Sequence, residues 1–259
     1  MLRSALAFGL ASSTILLGQQ AGSSFTSPTR AEQSPVSGAL ERPTLSPETR
    51  ADIMMARKMY REAIDLYKSS NPDSPIILNK TGIAYHQLSE LASAKKYYER
   101  AAKVKPDYSE AINNLGTIYY AQKNYRRAIA SYKKALEIDP RSASVLSNLG
   151  TAYFARKNYD LALATYQEAL KLDPDVFEHR NTMGSTLVER SVEERAKFHF
   201  YLARVYAKEG SYERALMYLR KALEEGFKEK DKILEGAEFA ALKDNAEFKQ
   251  IMAMEQKVL

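Results

Sequence analysis

The sequence predicts an all-α protein, a stack of helix-turn-helix hairpins closed at its C-terminal end by a helical cap. Six positions recur at a spacing of 34 residues: Gly82, Gly116 and Gly150; Tyr85, Tyr119 and Tyr153; Ala94, Ala128 and Ala162; Tyr98, Tyr132 and Tyr166; Ala101, Ala135 and Ala169; and Pro106, Pro140 and Pro174. Within one repeat, Ile112, Leu115, Gly116 and Tyr119 fall at i, i+3, i+4 and i+7, and Ala128, Tyr132 and Ala135 at i, i+4 and i+7. That spacing describes two amphipathic helices. The 259 residues are 45% hydrophobic and 27% charged, the balance of a folded protein. With no cysteine, a disulfide framework, a Cys-ligated zinc, an iron–sulfur cluster, a thiol nucleophile and a cysteine-acylated anchor are excluded.

Residues 1–23 carry Arg3, an apolar run from Ala5 to Gly18, and then the small residues Ala21, Gly22 and Ser23. This is the layout of a secretory signal peptide. The run contains Ser12, Ser13 and Thr14 and falls short of the about 20 apolar residues of a membrane-spanning helix. A cleaved leader leaving no stable membrane anchor is expected, and with it export to a periplasmic or extracellular location. No acidic residue precedes Glu32, so an organellar transit peptide is the alternative. Residues 24–43, with Ser24, Ser27, Pro28, Ser34, Pro35, Ser37 and Gly38, lack apolar periodicity and read as a disordered linker.

The hairpins follow in order over residues 44–229. The first, 44–74, opens at Ser46-Pro47-Glu48, a helix start with a capping serine and a first-turn proline, and carries Tyr60, Ala63 and Tyr67. Its last turn is shortened before Asn71-Pro72, and it serves as the N-terminal cap. Copies 75–108, 109–142 and 143–176 are regular; in the central one Asp139-Pro140 ends the second helix. Gly116 and Ala128 are small so that the paired helices approach closely. An insertion, 177–195, contains His179, Asn181, Gly184 and a capping box at Ser191 to Glu194. The fifth copy, 196–229, has Leu202, Ala203, Tyr206, Ala215, Leu219 and Ala222, with Ala203 in place of Gly and Gly226 as a helix C-cap. Residues 230–259, with Ile233, Leu234, Phe239, Leu242, Phe248 and Ile251, make one or two short helices that cover the open end.

The central copy, SEAINNLGTIYYAQKNYRRAIASYKKALEIDPRS from Ser109 to Ser142, resembles the tetratricopeptide repeat family, with Ile112, Leu115, Gly116, Tyr119, Ala128, Tyr132, Ala135 and Pro140 at the family's positions. Thr81 stands where the family prefers Leu, and Leu78, Ile112 and Leu146 replace its Trp. The resemblance implies a right-handed superhelical solenoid whose concave groove grips a peptide or protein segment. Its groove positions fall here on Asn79, Ile83 and His86, on Asn113, Thr117 and Tyr120, and on Ser147, Thr151 and Phe154. Asn114 and Asn148 lie beside this face, where they would either hydrogen-bond a peptide backbone or serve structure. Tyr120 and Phe154 are candidate anchors, with packing between adjacent first helices as the other reading. Arg204 and Lys208 would attract an acidic segment in the last copy. The Lys/Asn/Arg clamp by which some members hold a C-terminal carboxylate is not reproduced, because Asn79, Ile83, Asn114, Ser144 and Asn148 occupy its places with one matching Asn.

An enzyme is not expected, and neither is a cofactor or a metal. His86, His179 and His199 have no partners at metal spacing, and no HExxH, GxSxG, Walker or GxGxxG pattern occurs. Glu193-Glu194 and Glu224-Glu225 read as solvated surface, and His199 as a satisfied, partly buried imidazole. The formal charge is +6, but the longest basic runs are pairs such as Arg126-Arg127, so nucleic acid is not the expected partner. The expected role is a non-catalytic scaffold or adaptor in envelope assembly, with self-association left open. The alternatives are an accessory that presents a glycan or peptide to an envelope enzyme, or a cytosolic or organellar adaptor.

Overall fold

Caps and loop residues set the length of each helix. In the computed structural model, which describes residues 45–178 and 191–254, Ser46 accepts a hydrogen bond from the Thr49 amide at 3.1 Å and opens α1 (Pro47–Ala56). The chain continues through α2 (Tyr60–Ser70), α3 (Pro75–Gln87), α4 (Leu91–Val104), α5 (Ser109–Ala121), α6 (Tyr125–Ile138), α7 (Ala143–Ala155) and α8 (Tyr159–Leu172). After the insertion come α9 (Val192–Lys208), α10 (Tyr212–Glu224), α11 (Lys230–Glu235), a 3-10 helix (Ala237–Leu242) and α12 (Ala246–Ala253). The leader, the linker and residues 179–190 of the insertion, with His179, Asn181 and Gly184, lie outside the described residues.

Each hairpin turns on one left-handed residue. Lys58, Ser89, Lys123 and Lys157 have φ of 62°, 60°, 58° and 63°, and Gly210 takes the same place in the last hairpin at 75°. The Lys123 amide donates to Tyr120 O and the Asn124 amide to Tyr119 O, both at 2.8 Å, closing α5 in a Schellman pattern.

The repeat positions form the core. A Cβ added at Gly82, Gly116 or Gly150 would lie 2.5, 2.6 or 2.5 Å from the nearest ring carbon of Tyr98, Tyr132 or Tyr166 in the partner helix. Glycine is therefore the space into which the tyrosine packs. Ala94, Ala128 and Ala162 are fully buried, as the close crossing requires. In the fifth hairpin both partners change together, Ala203 standing for glycine and Leu219 for tyrosine, and both are fully buried.

The fifth hairpin departs from the expected continuation of the stack: it runs in the opposite sense. In the regular copies an early residue of a second helix meets a late residue of the next first helix; Lys95 of α4 lies 5.6 Å from the Tyr119 ring of α5. Between α8 and α9 early meets early, with Lys197 4.6 Å from the Tyr159 ring. Farther along, Gln167 donates to Glu209 at 3.3 Å. Helix α9 is thus parallel to α8 and antiparallel to α7, and Phe154 near the end of α7 meets Phe198 and Tyr201 near the start of α9 at 5.3 and 5.6 Å. Arg214, just past the α9–α10 turn, reaches Pro174 O at 2.5 Å and pairs with Asp175 below the end of α8. Chain length permits the reversal: α8 has 14 residues, about 21 Å at 1.5 Å each, and the segment from Leu172 to Val192 can span that distance. The four-residue link Asp139–Ser142 cannot.

Two boundaries shift, and the cap gains an element. The first helix of the fifth copy begins at Val192 rather than Ala196, held by the capping box: Glu194 N to Ser191 Oγ at 3.2 Å and Ser191 N to Glu194 Oε2 at 3.4 Å. Phe177, expected in the insertion, belongs to the core, 4% exposed and edge-on to Tyr166 at 5.2 Å. The C-terminal cap has three short elements rather than one or two. Ile233, Phe239, Leu242, Phe248 and Ile251 are buried in it, while Leu234 faces out. Lys230 Nζ ties the cap together through Met252 O and Met254 O at 2.9 and 2.6 Å.

Candidate protein-interaction surface

The first helices α3, α5 and α7 lie side by side because asparagines clasp them. Asn114 Nδ2 donates to Asn79 Oδ1, and Asn148 Nδ2 to Asn113 Oδ1, each at 3.0 Å. These residues are one repeat step apart, so the same bond recurs. At the first junction Lys80 takes the donor's place and reaches Glu48 at 2.9 Å and Asp52 at 2.8 Å. Asn114 and Asn148 therefore serve structure, and their amides are committed before any peptide arrives.

Threonines 117 and 151 are likewise engaged. The Tyr132 hydroxyl donates to Thr117 Oγ1 at 3.4 Å and that of Tyr166 to Thr151 Oγ1 at 3.2 Å. Each threonine in turn donates to the carbonyl four residues back, Asn113 O at 3.3 Å and Ser147 O at 2.9 Å. Burial holds the Tyr132 phenol well above its ordinary range.

Several expected groove residues are not on the surface. Asn79, Ser147, Thr151 and Phe154 are 5, 1, 9 and 5% exposed. Asn79 is covered through its bonded neighbour Asn114. Phe154 is enclosed by Tyr159 of its own hairpin at 5.3 Å and by Phe198 and Tyr201 of α9. It is a packing residue between first helices, not an anchor. Arg204 is also spoken for: its guanidinium pairs with Glu238 of the cap and lies 5.5 Å from the Tyr201 ring. With α9 reversed, Arg204 and Lys208 do not continue the row of α3, α5 and α7. Ile83, His86, Asn113, Thr117 and Tyr120 remain half-exposed in that row, and Ile76 is 51% exposed at its edge. Burial lowers the His86 imidazole below its ordinary value.

His199 is 8% exposed and bonded to Glu225 Oε2 at 2.7 Å. Glu225, expected in solvent, turns inward to His199 and to Arg195 at 3.4 Å. Burial holds His199 low despite that carboxylate. Among the described residues no three His, Asp or Glu side chains converge as a metal site would require.

A cleft of about 420 Å³ opens where the α5–α6 and α7–α8 turns meet the first turn of α9. Tyr120, Tyr125, Phe154 and Tyr159 line it, with Lys123 and Lys157 on the hairpin turns and Glu193, Glu194 and Lys197 together on α9. The Tyr120 and Tyr125 rings are 5.2 Å apart, and Tyr159 stacks on Tyr201 at 4.8 Å. Sequence reasoning missed this site. Its readable signal was an aromatic pair five residues apart across successive turns, Tyr120/Tyr125 and Phe154/Tyr159, with Lys123 and Lys157 between.

Stacked helical hairpins with small residues at each crossing and a clasped row of first helices define a helical-repeat protein. The chain belongs to the tetratricopeptide repeat family, whose model matches residues 50–109, 80–143, 113–176 and 185–227, more than half of the sequence. A search of curated proteins finds no significant match. Among solved structures, a crystal structure of MamA is 19% identical, covers 71% of this chain and 96% of its own, and has a TM-score of 0.47. MamA from Desulfovibrio magneticus RS-1, from residue 41 to its end, is 19% identical with 69% and 92% covered and a TM-score of 0.48. The first repeat domain of Spaghetti, bound to the HSP90 peptide SRMEEVD, is 22% identical with 43% and 90% covered and a TM-score of 0.41.

Proposed function

We propose that this protein is a non-catalytic scaffold that binds a peptide or protein segment, exported by its leader and acting in envelope assembly. One observation carries the binding role: α3, α5 and α7 are clasped in parallel by side-chain bonds, yet keep His86, Asn113, Thr117 and Tyr120 half-exposed in a row. A surface whose helices are already fixed loses little freedom on binding. Export rests on the leader-like composition of residues 1–23.

The test is co-purification from separated cell fractions with wild type and with Ile76→Glu/Tyr120→Ala, whose folding is checked by circular dichroism. An envelope protein held by wild type and lost by the folded variant supports the reading. The same partner held by both removes this face from consideration. Sequencing the N-terminus of the mature protein decides export, since an intact Met1 favours a cytosolic adaptor.

A further inference from the structure

We infer that the cleft at the hairpin turns, which shares Tyr120 with the row of first helices, is a docking site for an acidic segment of a partner protein bearing an aromatic or large apolar side chain. This inference rests on the scaffold reading and names its partner class.

The reversal of α9 builds the cleft. In a uniform stack the first turn of α9 would lie at the opposite edge; here Ser191, Glu194 and Lys197 stand over the turns of the third and fourth hairpins. The floor is aromatic, and its volume falls within the about 300–1,000 Å³ of pockets that accept organic groups. A second depression, lined by Lys123, Tyr125, Arg126 and Arg156, adjoins it across the shared Lys123 and Tyr125. Together they carry four cations at the hairpin turns, Lys123, Arg126, Arg156 and Lys157, while α9 brings Glu193, Glu194 and Lys197. Among the described residues Lys123, Arg126, Arg156 and Lys157 have no ion-pair partner.

Charge complementarity selects the occupant. Cations on two successive turns attract carboxylates, and the tyrosine floor between them takes an apolar side chain. A nucleic acid or an anionic bilayer would bring phosphates against Glu193 and Glu194. A peptide can place its carboxylates on the cations of the hairpin turns alone.

A photo-reactive benzoylphenylalanine is placed at Tyr125 in the cleft or at Ile76 on the concave face of the full chain, and cross-linked in the cells that make it. Mass spectrometry then identifies the attached segment. The expected result is a partner segment of net negative charge attached at position 125. Made as a synthetic peptide, it should bind wild type and lose at least ten-fold in affinity with Lys123→Gly/Lys157→Gly. Glycine suits the left-handed backbone at both positions, so this variant removes charge without disturbing the turn. Attachment at position 76 but not 125 overturns the cleft while the scaffold stands. Attachment at neither position overturns both. Attachment of lipid, nucleic acid, a second copy or a basic segment at position 125, or affinity unmoved in the glycine variant, overturns the partner class.

Discussion

At Gly116 the absent Cβ is filled by the ring of Tyr132, so the two residues form one packing unit. Gly116→Ala would put a methyl 2.6 Å from that ring and should destabilise the protein by about 1–3 kcal/mol through overpacking. The fifth hairpin shows the compensated form, Ala203 with Leu219. Gly116→Ala/Tyr132→Leu should therefore cost less than the sum of its single changes, with a coupling of about 0.5–3 kcal/mol. Denaturant unfolding of the four proteins measures it, and simple additivity would contradict the packing account. The end hairpin sets Ala51 and Tyr67 in a small cluster of their own with Ala63 and Ile77. At the turns the backbone is the issue, because Lys123 holds φ at 58°. Lys123→Gly should raise stability on the order of 0.5–1 kcal/mol by removing the left-handed penalty of a side chain. An unchanged or lowered thermal midpoint would tell against it.

Asparagine bonds join α5 to α3 and α7 to α5, and their loss should be felt between hairpins rather than within them. Asn148→Ala should cost about 0.5–1.5 kcal/mol, and hydrogen exchange should quicken in α7 and α5 while α3 stays protected. Uniform acceleration would mean that the clasp is not local. The histidines add a pH dependence. Burial lowers His86 and His199 below the ordinary imidazole value of about 6.5, so on acidification the unfolded chain takes up protons before the folded one. The contribution is full above about pH 6.5 and is lost as pH falls through the lowered folded values. His86→Gln should flatten the fall of the thermal midpoint below about pH 6.5, and an equal slope in both proteins would refute it. These elements show what a single sequence can reveal. Repeat spacing exposed the helices, their ends and the Gly116–Ala128 crossing, because those depend on contacts within one hairpin. It could not show whether Asn114 faces a peptide or the next helix, since a helical wheel marks a direction without naming what stands there.

The reversed fifth hairpin has the same origin. Inversion leaves every contact inside a hairpin intact, so Leu202, Ala203, Tyr206, Ala215 and Ala222 look like another regular copy. What changes is the seam to the preceding hairpin, where the chain sets Tyr201 at the repeat position of Asn148 and joins the units by aromatic packing. A bond between amides needs a fixed register, whereas ring contacts of about 5 Å tolerate either direction. The arrangement is open to a direct test because the chain has no native cysteine. Gln167→Cys/Glu209→Cys places two thiols where the side chains now meet at 3.3 Å, and a short bis-maleimide should link them within the folded monomer. Lys171→Cys/Lys197→Cys, which an antiparallel seam on the pattern of Lys95 with Tyr119 would set at the same level, should link poorly, because Lys197 lies at the other end of α8 over Tyr159. Efficient linkage of the second pair with failure of the first would restore the uniform solenoid. It would also return the start of α9 to the far edge, and the cleft at the hairpin turns would lose its acidic wall.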